Sequence, residues 1–115
     1  MPLSVSEQYH AAVIAIKGKF FGSRDGDEYK QIINDFKAAG KTNIVIDFAK
    51  TDLMDSSGIG VLIKSAAEVR DAGGDIVLAS LEERVKNLFV MTRLLGPVFK
   101  DYDSVEAAAN SFAQG

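Results

Sequence analysis

Residues 43–63 read Asn43-Ile44-Val45-Ile46-Asp47-Phe48-Ala49-Lys50-Thr51-Asp52-Leu53-Met54-Asp55-Ser56-Ser57-Gly58-Ile59-Gly60-Val61-Leu62-Ile63, and this run decides the fold. Ile44-Val45-Ile46 is an unbroken β-branched stretch, the pattern of a strand buried on both faces. Ile59, Leu62, Ile63 and Ala66 recur at helical spacing and predict a helix stopped by Gly73-Gly74. Between them, Asp47 to Gly60 reads as a long loop that enters the helix through two adjacent hydroxyls and two glycines.

The same alternation continues outward in both directions. Asp75-Ile76-Val77-Leu78 predicts the next strand, and Ser80 with Glu83 reads as a capping box before Leu81, Val85, Leu88 and Phe89. Gly96-Pro97 breaks the chain before a short strand around Val98-Phe99. Asp103 and Glu106 read as another box, ahead of a helix with Val105, Ala108, Ala109 and Phe112 on one face. Upstream, Tyr29, Ile32, Ile33 and Phe36 mark an amphipathic helix ended by Gly40. Gly18 to Gly26 reads as a loop. Leu3 and Val5 alternate with serines as a strand with one wet face, and Ala12 to Ile16 forms a second strand. These two lie close enough to pair antiparallel around His10.

The order β-β-α-β-α-β-α-β-α predicts an α/β fold. Its sheet is mixed and mostly parallel, with an antiparallel N-terminal strand pair and about four helices. With 115 residues, no repeat and no linker, residues 1–115 read as one domain.

Composition narrows the function. A net charge of −3 argues against a domain that binds nucleic acid directly. The absence of cysteine removes thiolate chemistry, disulfides and Cys-ligated zinc, and the lone His10 argues against Ser-His-Asp catalysis and multi-His metal sites. No apolar run reaches the roughly 20 residues of a membrane span, and Met1-Pro2-Leu3-Ser4 lacks signal-peptide character. The expectation is a cytoplasmic protein in a reducing setting.

In an open parallel sheet, function belongs at the carboxyl ends of strands, which here means the Asp55–Gly60 segment. Asp, Ser and Gly there are first of all helix-capping residues. Two glycines in the first helical turn nevertheless cost up to about 1 kcal/mol each relative to alanine, which capping alone does not require. Missing side chains let another backbone approach, and the positive helix end favours added anionic charge. A serine at this place is a sensible phosphorylation site, with Ser56 and Ser57 equally eligible on these grounds. Other motifs fail. Gly40-Lys41-Thr42 lacks the earlier glycine of a P-loop, Ile63 stands where a dinucleotide fingerprint wants its third glycine, and Asp55 replaces the first glycine of G-x-S-x-G. Asp47, Asp52 and Asp55 as a Mg²⁺ cluster is the weaker reading beside a strand end, a loop residue and a cap.

Asn43-Ile44-Val45-Ile46-Asp47-Phe48 followed by Met54-Asp55-Ser56-Ser57-Gly58-Ile59-Gly60-Val61-Leu62 resembles the signature of STAS-domain anti-anti-sigma factors, also called anti-sigma factor antagonists. Val85-Lys86-Asn87-Leu88-Phe89, Leu94-Leu95 and Val98-Phe99 through Tyr102-Asp103-Ser104-Val105-Glu106-Ala107 are similar to the C-terminal half of that family. The resemblance implies a non-enzymatic bacterial regulator of transcription by partner switching, with no cofactor and no metal. Its partners would be an anti-sigma factor with serine kinase activity and a serine phosphatase, and the free form would be a monomer. The resemblance also selects Ser57 as phosphoacceptor and places Asp55, Ser56, Ser57, Gly58, Ile59 and Gly60 at the partner-binding loop. One stretch departs from the family pattern: a Gly-x-Leu-Asp-like segment is replaced by Gly18-Lys19-Phe20-Phe21-Gly22-Ser23-Arg24-Asp25. Phe20 and Phe21 read as core anchors rather than an exposed docking patch.

Secondary candidates are Leu88, Met91, Leu94 and Leu95, whose helical spacing reads as core rather than contact surface, and Lys64 and Arg70 on the polar side of a helix. Two rival readings remain at this level. One is a STAS-type regulatory subunit of a transporter or other complex. The other is a phospho-aspartate receiver built on Asp47, for which Asp25, Asp27 and Lys100 are poorly spaced.

Overall fold

The structure is a computed structural model that describes residues 2–113. Nine elements follow in chain order: β1 Leu3–Gln8, β2 Ala11–Phe20, α1 Gly22–Ala38, β3 Asn43–Met54, α2 Ser56–Asp71, β4 Asp75–Ala79, α3 Glu83–Met91, β5 Asp101–Tyr102 and α4 Val105–Ala113. They form one five-stranded sheet in sequential order, β1 antiparallel to β2 and every other pair parallel. The expected mixed α/β architecture is the one observed.

Sequential strand order has a geometric consequence. Each parallel pair needs a right-handed crossover, and crossovers that all step the same way place their helices on the same face. Side chains of α1, α2 and α3 (Tyr29, Ile33, Ile59, Leu62, Ala66, Val69, Val85, Phe89) accordingly share one core with Ala12, Ile14, Ile16, Ile44, Ile46, Phe48, Ile76 and Leu78. The alternate strand residues Ala11, Val13, Val45, Val77 and Ala79 face the other way, where α4 covers them with Ala108 and Ala109. This period-2 split explains the continuous apolar runs of β3 and β4, since both faces are buried.

The structure revises several boundaries. Gly18–Gly26 is not a loop: β2 runs on to Phe20, and α1 starts at Gly22. Register shifts between Ala15 and Lys17 and between Gly18 and Lys19, with Gly18 at φ +77°, turn Phe20 inward, where it is fully buried. Its ring meets Tyr29 edge-on at 5.8 Å. The stretch Asp47–Met54 is likewise strand, held beside the extended β2, and only Asp55 separates it from α2. Buried Thr51 ties the two strands by donating its hydroxyl to Ile16 O at 2.8 Å.

The two proposed capping boxes also change. Ser80 adopts φ +58° and donates its Oγ–H toward Asp103 O at 3.3 Å, while Glu82 stands at the start of α3 without a side-chain cap. For α4 the cap is Ser104, whose Oγ accepts from the Ala107 N–H at 3.0 Å, rather than Asp103. The last strand is Asp101–Tyr102, and Val98-Phe99 contributes only a single bridge from Phe99 to Leu95. Finally, Val5 and Ile63 are exposed rather than core, because β1 is a sheet edge and Ile63 lies on the outer side of α2.

Candidate functional site

The site begins where β3 ends. Buried Met54 anchors the strand terminus, and Asp55 takes an extended conformation (φ −105°, ψ 176°) at the N-cap of α2. Its Oδ1 accepts the Gly58 N–H at 2.8 Å, satisfying one of the orphan donors of the first turn. The same oxygen accepts the Ser57 hydroxyl at 2.8 Å and the Gly22 N–H, from the start of α1, at 3.3 Å. One carboxylate oxygen therefore ties the first turn of α2 to the first turn of α1.

Electrostatics follow from this geometry. The Gly58 N–H, then the Ser57 hydroxyl, and less strongly the Gly22 N–H hold the Asp55 carboxyl below its ordinary range. No acidic residue lies within the first turn of α2, so Asp55 alone opposes the positive helix end.

Ser56, Ser57 and Gly60 are exposed, Asp55 is half-buried, and Gly58 and Ile59 are buried. The structure thus brings the six loop residues together but gives them unlike tasks. Ile59 faces the core, 6% exposed. Gly58 packs so tightly that a Cβ there would sit 3.0 Å from the ring and carbonyl of Phe20. Gly60 has nothing within 4 Å of where its Cβ would be, so only its neighbour Gly58 is required by intramolecular packing.

Four residues of the divergent Gly18–Asp25 stretch, none of them read from the sequence as part of the site, support this segment. Phe21 is the N-cap of α1 with no side-chain cap, and its own N–H donates to Asp25 Oδ2 at 2.9 Å. Asp25 is buried and bound by Arg24, with Nη2 to Oδ2 at 2.9 Å. That partner, and after it the Phe21 N–H, keeps the Asp25 carboxyl below its ordinary range, although burial and, less strongly, Asp55 work the other way. Arg24 also donates to Lys19 O at 2.7 Å and lies over the half-buried Phe21 ring, 4.9 Å from its centroid. At Gly22 a Cβ would collide with the Ser57 carbonyl, so the backbones of α1 and α2 approach closely here. No sequence motif flags this cluster, because its carboxylate sits four residues inside the helix instead of before it.

The secondary candidates separate. Met91 is 81% exposed, against the expectation of burial, while Leu88, Leu94 and Leu95 are partly buried against the core. Met91 and Leu88 line a shallow apolar groove with Leu53, Met54 and Val85. Arg70 is committed internally, to Asp75 Oδ1 at 2.8 Å and Val98 O at 2.6 Å. Lys64 is exposed at the groove between α1 and α2. Asp47 lies inside β3 and accepts the Ala49 N–H at 3.0 Å. Among the described residues no three His, Cys, Asp or Glu side chains cluster closely enough to hold a metal ion.

Residues 3–108 match the family model of the STAS domain, and the chain belongs to that family. It is 32% identical over 73 residues to BtrV of Bordetella bronchiseptica, designated an anti-sigma factor antagonist. That match spans 64% of this chain and 62% of the relative. A protein of the same designation from Thermotoga maritima superposes with a TM-score of 0.84 at 18% identity, over 95% of this chain and 92% of that one. The Bacillus cell fate determinant SpoIIAA in its phosphorylated form gives 0.72 at 22% identity, over 95% and 98%. The fold also occurs within the murine Slc26a9 anion transporter, with a TM-score of 0.71 at 17% identity over 95% of this chain and 18% of that one.

Proposed function

We propose that the protein is an anti-sigma factor antagonist. Its unmodified form binds an anti-sigma factor that is also a serine kinase and so frees a sigma factor. Phosphorylation of Ser57 abolishes that binding, and a serine phosphatase restores it. The observation that carries this reading is the exposed Ser57 hydroxyl at the start of α2, oriented by Asp55 in a turn without another acid. The designation of the Bordetella relative and the phosphorylated form of the Bacillus fold neighbour support it. In this reading the exposed Ser56, Ser57 and Gly60 face the partner, with Asp55, Gly58 and Ile59 shaping the loop from beneath. The chain acts in the cytoplasm as a binding module rather than an enzyme, and is monomeric when free.

The physical switch is charge. A phosphoryl group adds about −1.5 to −2 charges. The end of the helix dipole, worth roughly half a charge, offsets only part of it. The fold therefore survives while the docking surface, already acidic at Asp52 and Asp55, gains negative charge and changes shape. Like-charge juxtaposition across an interface costs several kcal/mol, and each 1.4 kcal/mol is tenfold in affinity.

The test combines phosphopeptide mapping of protein from its native cells with binding to the co-purifying kinase. Ser57→Ala should stay in the binding form permanently. Ser57→Asp, folded normally, should bind at least about tenfold more weakly, a difference of roughly 1.4 kcal/mol. Wild-type affinity in the Asp variant, or phosphate on another residue, overturns the proposal. The transporter-like neighbour favours a second reading, a regulatory module of a membrane complex. Recovery of a transporter without a kinase would select it. Among the described residues no helix is long and apolar enough to cross a membrane.

A further inference from the structure

We propose that Gly22, at the first turn of α1, is a positioning residue for Ser57: its missing side chain lets the α1 backbone press on the Ser57 carbonyl and donate its N–H to Asp55, the carboxylate that holds the Ser57 hydroxyl. The inference rests on the reading of Ser57 as phosphoacceptor and deepens it, because it assigns a role to a segment far from the serines in sequence and divergent from the family pattern.

The argument is steric first. A Cβ on Gly22 would collide with the carbonyl group of Ser57 and lie 2.8 Å from the Gly58 nitrogen. Those neighbours are backbone atoms of a helical first turn, which no rotamer change can move aside. α1 and α2 must move apart to admit one. Gly22 has no positive φ, so conformational freedom is not the reason for glycine here. Close approach is.

Hydrogen bonding supplies the second part. Asp55 Oδ1 accepts from Gly22 N–H, Ser57 Oγ–H and Gly58 N–H at 3.3, 2.8 and 2.8 Å. Two of these donors lie on Asp55's own side of the contact. Gly22 is the one supplied by another element, and it ties the carboxylate to α1. The α1 end is itself braced by the Phe21 N–H to Asp25 bond and by Arg24, so its backbone is a firm support. Holding the Ser57 hydroxyl in one orientation matters because phosphoryl transfer needs an oxygen lone pair in line with the incoming phosphorus. A misplacement of about 1 Å can reduce the rate on the order of a hundredfold. In the transfer, Ser57 Oγ forms the bond to the γ-phosphorus of ATP, the bond to the ADP oxygen breaks, and the hydroxyl proton leaves to a base on the kinase.

The experiment uses the full chain, isotopically labelled for NMR, as wild type, Gly22→Ala and the neighbouring control Ser23→Ala. In wild type Ser57 should show a single χ1 rotamer. In Gly22→Ala it should average between rotamers, and the Asp55 carboxyl should titrate closer to the ordinary value of about 3.9. The Asp25 carboxyl, the other acid facing this contact, is followed in the same titration to separate a local change from a general one. With the co-purified kinase and ATP, the turnover number for Ser57 labelling should fall about ten- to a hundredfold with KM little changed. Ser23→Ala should match wild type throughout. An unchanged rotamer, carboxyl titration and labelling rate in folded Gly22→Ala overturns the inference. Should that variant not fold, Asp55→Ala provides the reading, since the Gly22 amide proton must then shift upfield, and a Gly22 resonance that does not move overturns it. Failure to label Ser57 in wild type instead overturns the phosphoacceptor reading, while the rotamer and titration results still decide the contact.

Discussion

At the residue scale, Asp55 carries the most. Removing its carboxylate takes away the N-cap of α2, so Asp55→Ala should lower stability by about 1 kcal/mol, measured by urea unfolding. The pH dependence has a definite sign. Asp55 and Asp25 both ionise more easily in the folded chain than in the unfolded one. Their stabilisation is complete above the unfolded carboxylate value, about 3.9, and is lost as pH falls through the lower folded values. Asp25→Asn with Asp55→Asn should flatten the fall in Tm below about pH 4. A double variant whose Tm falls as steeply as wild type would contradict this. The two glycines of the loop separate equally clearly. Gly58→Ala should destabilise by up to about 2 kcal/mol, since the clash of its Cβ with the Phe20 ring and carbonyl exceeds alanine's helix gain, whereas Gly60→Ala should stabilise by up to about 1 kcal/mol. If Gly60 serves the partner, its alanine variant will be the more stable protein and the weaker binder. From sequence alone both glycines carried the same helix cost, and only the neighbouring backbone told them apart.

At the scale of elements, the strands of the parallel sheet were legible where burial is continuous, as in Ile44-Val45-Ile46, and illegible where it is not. Beyond Asp47 the chain carries exposed Lys50, Asp52 and Leu53 around buried Thr51 and Met54, and strict alternation is lost. The cause lies in the neighbour: two register shifts in β2 re-aim its side chains, and β3 follows that partner. Turn composition at Gly18–Gly26 then misleads, because Gly22 is there for close packing and Gly18 for the shifted register. Helix starts were misjudged for a related reason. Serine and aspartate satisfy backbone donors in several geometries, so Ser80-x-x-Glu83 resembles a box without forming one. Thr51 tests the strand extension directly. Thr51→Val keeps the shape but leaves Ile16 O without its donor, and should cost about 1–3 kcal/mol in chemical denaturation. A neutral result would show that the tail of β3 contributes nothing to the cooperative fold.

For the whole molecule, alternation of strands and helices was enough to predict the sheet, and right-handed crossovers then dictate that α1, α2 and α3 lie together. Their shared core has an aromatic chain at one side, Phe48 to Phe89 at 5.8 Å and Phe89 to Phe99 at 5.9 Å, all edge-on. Phe89→Ala should therefore destabilise by about 3–5 kcal/mol, seen as a large drop in Tm. The resemblance placed Ser57, but nothing in the residue order disclosed that a second helix start would lie against it. That juxtaposition is a product of tertiary packing.

The opposite face of the sheet has a single guardian. α4 seats itself there mainly on alanine and valine, a shallow fit with few large side chains to hold it. The proposed switch and this concealed surface thus lie on opposite sides of one wall. Damage to this cover, for instance Ala109→Asp, should leave the proposed phosphoacceptor Ser57 modifiable while bared valines glue molecules together, so the protein would precipitate before it lost that site.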